Sequence, residues 1–229
     1  MRILGLTGSI GMGKSTAAAM LRRLGVPVFD SDAAVHRLLA KGGAAVPQVQ
    51  AAFPDVIADG AVDRQALGAR VFADPAALER LEKIVHPLVR CEEARFLSAA
   101  RRRRVPVVVL DIPLLFESGG ERRCDATVLV TAPRAVQEAR VLARPGMTRE
   151  KLAGIRARQM PEREKLRRAD FVVLTSLGKR YTLQALRRIV RAMREGKGRR
   201  GARVGSVHAR GCARHRDDGT RSRRWPSHR

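Results

Sequence analysis

Aromatic side chains are scarce: they make up 3% of the 229 residues. A buried core must therefore rest on Leu, Val, Ile and Ala. Long hydrophobic runs are missing as well. The best one, residues 105–116, contains Asp111 and falls well short of the roughly 20 residues that a bilayer-crossing helix needs. The apolar opening of the chain breaks at Gly8-Ser9 and soon meets Lys14, which does not fit a secretory leader. No membrane partner and a cytoplasmic location are the expectations. Cysteine is rare too. Cys91, Cys124 and Cys212 are isolated and show no metal-ligand spacing, so they read as reduced thiols.

Negative charge is the other shortage. There are 22 Asp/Glu against 46 Lys/Arg, a formal net charge of +24. Such a balance can signal nucleic-acid binding. However, residues 196–229 alone hold 11 Lys/Arg and 2 Asp/Glu, with six Gly and no Leu, Ile, Met or Phe. A segment so poor in apolar residues cannot offset its ordering entropy and is expected to be a disordered basic tail. It offers only Trp225 for base stacking. The expectation is weak, salt-dependent polyanion association and no specific nucleic-acid partner. A nucleic-acid-binding protein acting through this tail is the reading from a different class.

Periodicity supplies the fold class. Residues 2–7 read as a short buried strand, followed by a Gly-rich turn and an amphipathic helix from Lys14 to Leu24. Gly25 sits where a helix C-terminal glycine belongs. Further short apolar strands are expected at Val26–Phe29, Val105–Leu110, Ala126–Thr131 and Phe171–Leu174, with helices at 133–143, 148–159, 162–168 and 182–194. Strands that alternate with helices predict an α/β fold with a parallel sheet covered on both faces. Residues 33–100 are helical in pattern, with breaks at Gly42-Gly43, Asp59-Gly60, Asp74-Pro75 and His86-Pro87. That stretch is too long for a crossover and reads as an inserted helical domain. Residues 145–165 read as a lid. The nucleotide-binding core is then 1–32, 101–144 and 166–195.

The chemistry is carried first by Gly8-Ser9-Ile10-Gly11-Met12-Gly13-Lys14-Ser15, which fits G-x-x-x-x-G-K-[ST]. Glycines let the backbone curl so that successive N–H groups face phosphate oxygens. The helix that follows adds the positive end of its dipole. Lys14 reaches the β- and γ-phosphates of ATP and Ser15 offers its hydroxyl to Mg²⁺; Thr16 completes the loop. No N-K-x-D segment is present, which argues against a GTPase. A kinase needs an acceptor site at the C-terminal ends of the strands, where Asp30 and Asp32 lie. Either could accept the acceptor's proton, and Asp32 could also cap the next helix. Asp111 ends the third core strand, where it could help to hold Mg²⁺ through water. Arg140 and Arg144 share a helix face and could close on the transferring phosphate; a solvated basic face is the competing reading.

Several segments resemble the dephospho-coenzyme A kinase family. They are the opening Gly5-Leu6-Thr7-Gly8 through Thr16, Phe29-Asp30-Ser31-Asp32, Asp59-Gly60 with Asp63-Arg64, Ile84-Val85-His86-Pro87, Asp111-Ile112-Pro113-Leu114-Leu115-Phe116-Glu117, Gln137 with Arg140 and Arg144, Gln159, and Ala169-Asp170. They keep order and spacing from residue 3 to about 194. The resemblance implies a P-loop NTPase core of three α/β/α layers, a helical acceptor-binding insert and a helical lid. It implies phosphorylation by ATP and Mg²⁺ of the ribose 3′-hydroxyl of dephospho-coenzyme A. Asp32 would be the base, and Asp30, His86, Asp111 and Glu117 would fall around the acceptor and the metal. The chain departs from the family at Ser9, where glycine is usual, at His36 in place of an Arg, and at Thr175-Ser176 in place of an Asn. Another small P-loop nucleoside or nucleotide kinase is the alternative enzyme.

Overall fold

In a computed structural model the described residues are 1–196. The expectation of disorder for the basic tail therefore lies, from residue 197 on, outside the described residues. The chain opens with β1 (Arg2–Thr7), buried from Leu4 to Thr7, as a central parallel strand must be. A loop leads into α1 (Lys14–Arg23). Gly25 follows that helix at φ 72°, the left-handed conformation with which helices commonly end.

Strand β2 (Val28–Asp30) starts two residues later than expected, and β5 (Val107–Asp111) likewise starts late. Both delays have one cause. Pro27 and Pro106 can give only their carbonyls to the ladder, to Val109 N–H and Arg2 N–H respectively, because proline has no N–H of its own.

Between these strands lie α2 (Ser31–Leu39), α3 (Val46–Ala52), the hairpin strands β3 (Ile57–Ala58) and β4 (Ala61–Val62), α4 (Arg64–Ala73) and α5 (Pro75–Arg102). The insert is thus not wholly helical. Asp59 and Gly60 take φ values of 51° and 77°, the paired positive values that a two-residue hairpin turn requires. The expected break at His86-Pro87 does not occur, because α5 runs through Pro87 for 28 residues. Losing one backbone bond is outweighed by packing on both sides of the proline, where Val85 is buried and Ile84, Leu88 and Val89 pack against the core of the insert.

The second half of the chain adds β6 (Ala126–Thr131), α6 (Arg134–Leu142), α7 (Arg149–Ala157), α8 (Glu162–Arg168), β7 (Phe171–Leu174) and α9 (Lys179–Arg194). Leu186, Ile189, Val190 and Met193 repeat at helical spacing and form the buried face of α9.

The large sheet has five strands in the order β2-β5-β1-β6-β7, all parallel. One apolar cluster joins Leu4, Leu6, Val128 and Val130 of the sheet to Leu21 of α1 and Leu186 of α9. The insert has its own cluster around Leu38, Val49, Phe53 and Val85. Phe29 and Leu110 of the sheet meet Phe96 of α5 in a third cluster that joins insert to sheet. No helix among the described residues is long and apolar enough to cross a membrane. The register sets Asp30 beside Asp111 and Asp111 beside Leu6. The C-terminal ends of the strands therefore share one edge, the place where open α/β sheets bind ligands.

Candidate active site

A groove of about 630 Å³ lies along that edge. Its floor is the loop from Gly8 to Lys14, continued by Ser15 and Thr16. The loop can sit there only because of its glycines. A Cβ on Gly8 would stand 2.5 Å from a methyl carbon of Val130. Gly13 is held at φ 89°, a region that side-chain-bearing residues seldom enter. Gly13 also precedes α1 without supplying a side-chain cap. The first N–H groups of that helix have no partner within it, so its positive end is offered to an anion in the groove.

Lys14 Nζ lies 2.8 Å from Asp111 Oδ1. Asp111 is 2% exposed. Burial pushes its carboxyl above the usual range; the Lys14 ammonium opposes this, and Asp30 and Asp32 add a smaller upward push. Ser15 and Thr16 are exposed at the start of α1. Among the described residues no group of three or more His, Cys, Asp and Glu could cage a metal. The donor set fits Mg²⁺ all the same, since this ion keeps several waters and relies on substrate phosphates with few protein ligands. Ser15 and Asp111 are the residues that could hold it.

The turn between β2 and α2 separates two carboxylates. Sequence left open that Asp32 caps α2. The cap is Asp30 instead, whose Oδ1 accepts from Ala33 N–H at 3.0 Å. Asp32 lies in the first turn of α2 and lines the groove. Asp30 faces a second cavity of about 490 Å³, lined also by Arg22, Arg37, Arg95, Phe29 and Phe96. The two cavities thus flank one turn, with one carboxylate in each.

Arg140 and Arg144 both line the groove. Arg140 is anchored on the core side. It donates to Thr175 Oγ1 at 2.9 Å, to the Thr175 carbonyl at 3.1 Å and to the Gly11 carbonyl at 3.4 Å. Thr175 Oγ1 in turn donates to the Met12 carbonyl at 2.8 Å. Gln137 donates to the Ile10 carbonyl at 2.7 Å and accepts from Arg156 of α7. Helix α7 also reaches the insert, for Arg158 just beyond it stacks over the Phe72 ring at 4.2 Å.

Two expected residues stand apart from the groove. His86 is exposed on α5 and lines neither cavity. Glu117 is tied to Lys165 at 2.9 Å and to Met160 N–H at 2.9 Å. Burial raises its carboxyl, but the bonds from Lys165 and Met160 outweigh this and leave it below the usual range. Lys165 and Lys179 escaped sequence reasoning, and Thr175 was noted only as standing in place of the family's Asn. Lys165 lies in the charged run of residues 162–168, which resembles a solvated face.

The family model described as dephospho-CoA kinase matches residues 2–179. A dephospho-CoA kinase of Paramagnetospirillum magneticum is 68% identical over 165 residues, 72% of this chain and 78% of the relative. One of Rhodospirillum rubrum is 57% identical over 211 residues, 90% of this chain and 100% of the relative. Among solved structures, TT1252 from Thermus thermophilus superposes with a TM-score of 0.74 at 42% identity, covering 83% of this chain and 96% of that one. Dephospho-CoA kinase from Campylobacter jejuni shares the fold, with a TM-score of 0.59 at 21% identity, covering 84% of this chain and 97% of that one.

Proposed function

The chain belongs to the dephospho-CoA kinase family, and we propose that the groove along the strand ends is where it moves the γ-phosphoryl group of ATP to the ribose 3′-hydroxyl. With ATP and Mg²⁺ it phosphorylates dephospho-CoA in coenzyme A biosynthesis. One observation carries the proposal: the phosphate-binding loop and the Asp32 carboxylate line the same groove.

The roles follow from placement. Loop amides and the first turn of α1 bind the ATP phosphates. Lys14, already held at the strand edge by Asp111, places a fixed cation where negative charge moves during transfer. Bound Mg²⁺ would neutralise phosphate charge, with Ser15 as its protein ligand. Asp32 orients the acceptor hydroxyl and takes its proton. Arg140 and Arg144 add positive charge from the α6 side. Residues 145–165 act as the lid, and with substrates bound they exclude water from the groove. A cytoplasmic setting and small dissolved substrates, with no specific nucleic acid, belong to the same reading.

The acceptor enters from the second cavity. Three arginines suit the diphosphate of dephospho-CoA, and the Phe29–Phe96 pair, with ring centroids 5.6 Å apart, offers apolar surface. Arg95 makes no ion pair among the described residues, so its removal should leave the fold intact. In Arg95→Ala the KM for dephospho-CoA should rise by about tenfold while the KM for ATP stays within about twofold. An unchanged acceptor KM would place the acceptor elsewhere.

A further inference from the structure

Among the described residues, Lys165 is the one charged residue in the set of largest fully buried side chains, at 0% exposure. Taking an ammonium out of water is costly unless close partners replace the lost hydration. Its partners come from two other segments. Glu117 Oε1 lies 2.9 Å from Nζ, and Ser9 Oγ accepts from Nζ at 3.3 Å. Ser9 Oγ in turn donates to Glu162 Oε2 at 3.1 Å. Met160 N–H donates to the same Glu117 oxygen at 2.9 Å.

These bonds meet at a mechanically meaningful point. Ser9 is the second residue of the phosphate-binding loop, and its carbonyl accepts from Met12 N–H at 3.1 Å. Holding Ser9 therefore holds the turn from 9 to 12, of which Ser9, Ile10 and Gly11 line the groove. Glu117 closes the segment that starts at Asp111, the partner of Lys14. Helix α8, which carries both Lys165 and Glu162, follows directly on residues 145–161. One buried ammonium thus links the lid's root, the loop and the Asp111–Glu117 segment. Glycine at position 9 would have no hydroxyl for this link.

We propose that Lys165 is a positioning residue for phosphoryl transfer, fixing the phosphate-binding loop through the Ser9 hydroxyl and anchoring the root of the lid through Glu117. This rests on the reading of the loop as the ATP site. Residues 146–157 then form the moving part of the lid, while α8 stays with the core. Lys165 lines neither cavity and acts only through loop geometry, where a displacement of about 1 Å can cost on the order of a hundredfold in rate.

The test is steady-state kinetics on Lys165→Met, Ser9→Ala, their double variant and Lys165→Arg, with active sites counted. Lys165→Met should lower kcat/KM for ATP by about a hundredfold and leave the KM for dephospho-CoA unchanged; Ser9→Ala should lower kcat/KM for ATP by about fivefold. The double variant should lose clearly less than the product of the two single losses, because both act through one link. Lys165→Arg should recover part of the loss. Hydrogen exchange in wild-type should show α8 protected with or without ATP, and residues 146–157 slowing when ATP and dephospho-CoA bind. A purely structural ion pair would lower the melting temperature and leave kcat/KM for ATP at the wild-type value per active site; that result, or strictly multiplicative losses, overturns the proposal. If Lys165→Met does not fold, Ser9→Ala alone decides, and wild-type constants for it overturn the proposal. A wild-type protein unable to use ATP at all would instead overturn the reading of the loop.

Discussion

Lys14→Ala should lower kcat by about a thousandfold, because a fixed cation beside the migrating phosphoryl group stabilises the transition state more than the bound substrates. The structure adds a complication that the motif does not show. Lys14 is also the ion-pair partner of Asp111, a carboxylate that is 2% exposed. Without the ammonium the carboxylate is buried and uncompensated. Burial already pushes this carboxyl up, and losing the ammonium removes the largest influence that opposes the push. The variant's melting temperature should therefore fall at pH 7 and recover in Lys14→Ala/Asp111→Asn. Turnover should not recover in that double variant. Near-normal turnover in Lys14→Ala would remove the loop from the chemistry.

Asp32→Asn should lower kcat by roughly a hundredfold, with ATP binding retained, since the amide keeps the shape but cannot accept a proton. Asp30→Asn is the natural comparison. Asp30 caps α2, and Asn serves as a helix cap about as well as Asp, so the fold should survive both substitutions. The kinetic difference then isolates proton acceptance. A larger effect at Asp30 would move the base into the second cavity, and silence at both would place the acceptor away from this turn.

The loop from Gly8 to Ser15 was legible because its chemistry is local: glycines, a lysine and a hydroxyl at fixed spacing, between a strand and a helix. Strands β6 and β7 were legible because their apolar runs are short and sharply bounded. Contacts between distant segments were not. Nothing near Thr175 announces that its hydroxyl supports the Met12 carbonyl across 163 positions. Lys165 stands among Arg163, Arg167 and Arg168, and only the tertiary fold shows that it alone turns inward. Pro87 reads as a helix stop, and packing of α5 against the insert overrides that tendency. Asp30 and Asp32 are two residues apart, so composition could not separate the cap from the groove-facing carboxylate. A single backbone bond to Ala33 N–H does.

The most direct test of the account is phosphate transfer from ATP and Mg²⁺ to dephospho-CoA, set beside a panel of nucleosides and nucleotides, with the product examined by phosphorus NMR. The expected result is rapid transfer to dephospho-CoA alone, at kcat/KM at least about a hundredfold above any other acceptor, and a new phosphomonoester on the ribose 3′ position. Equal or faster transfer to a nucleoside, or a phosphate placed at another hydroxyl, would contradict it.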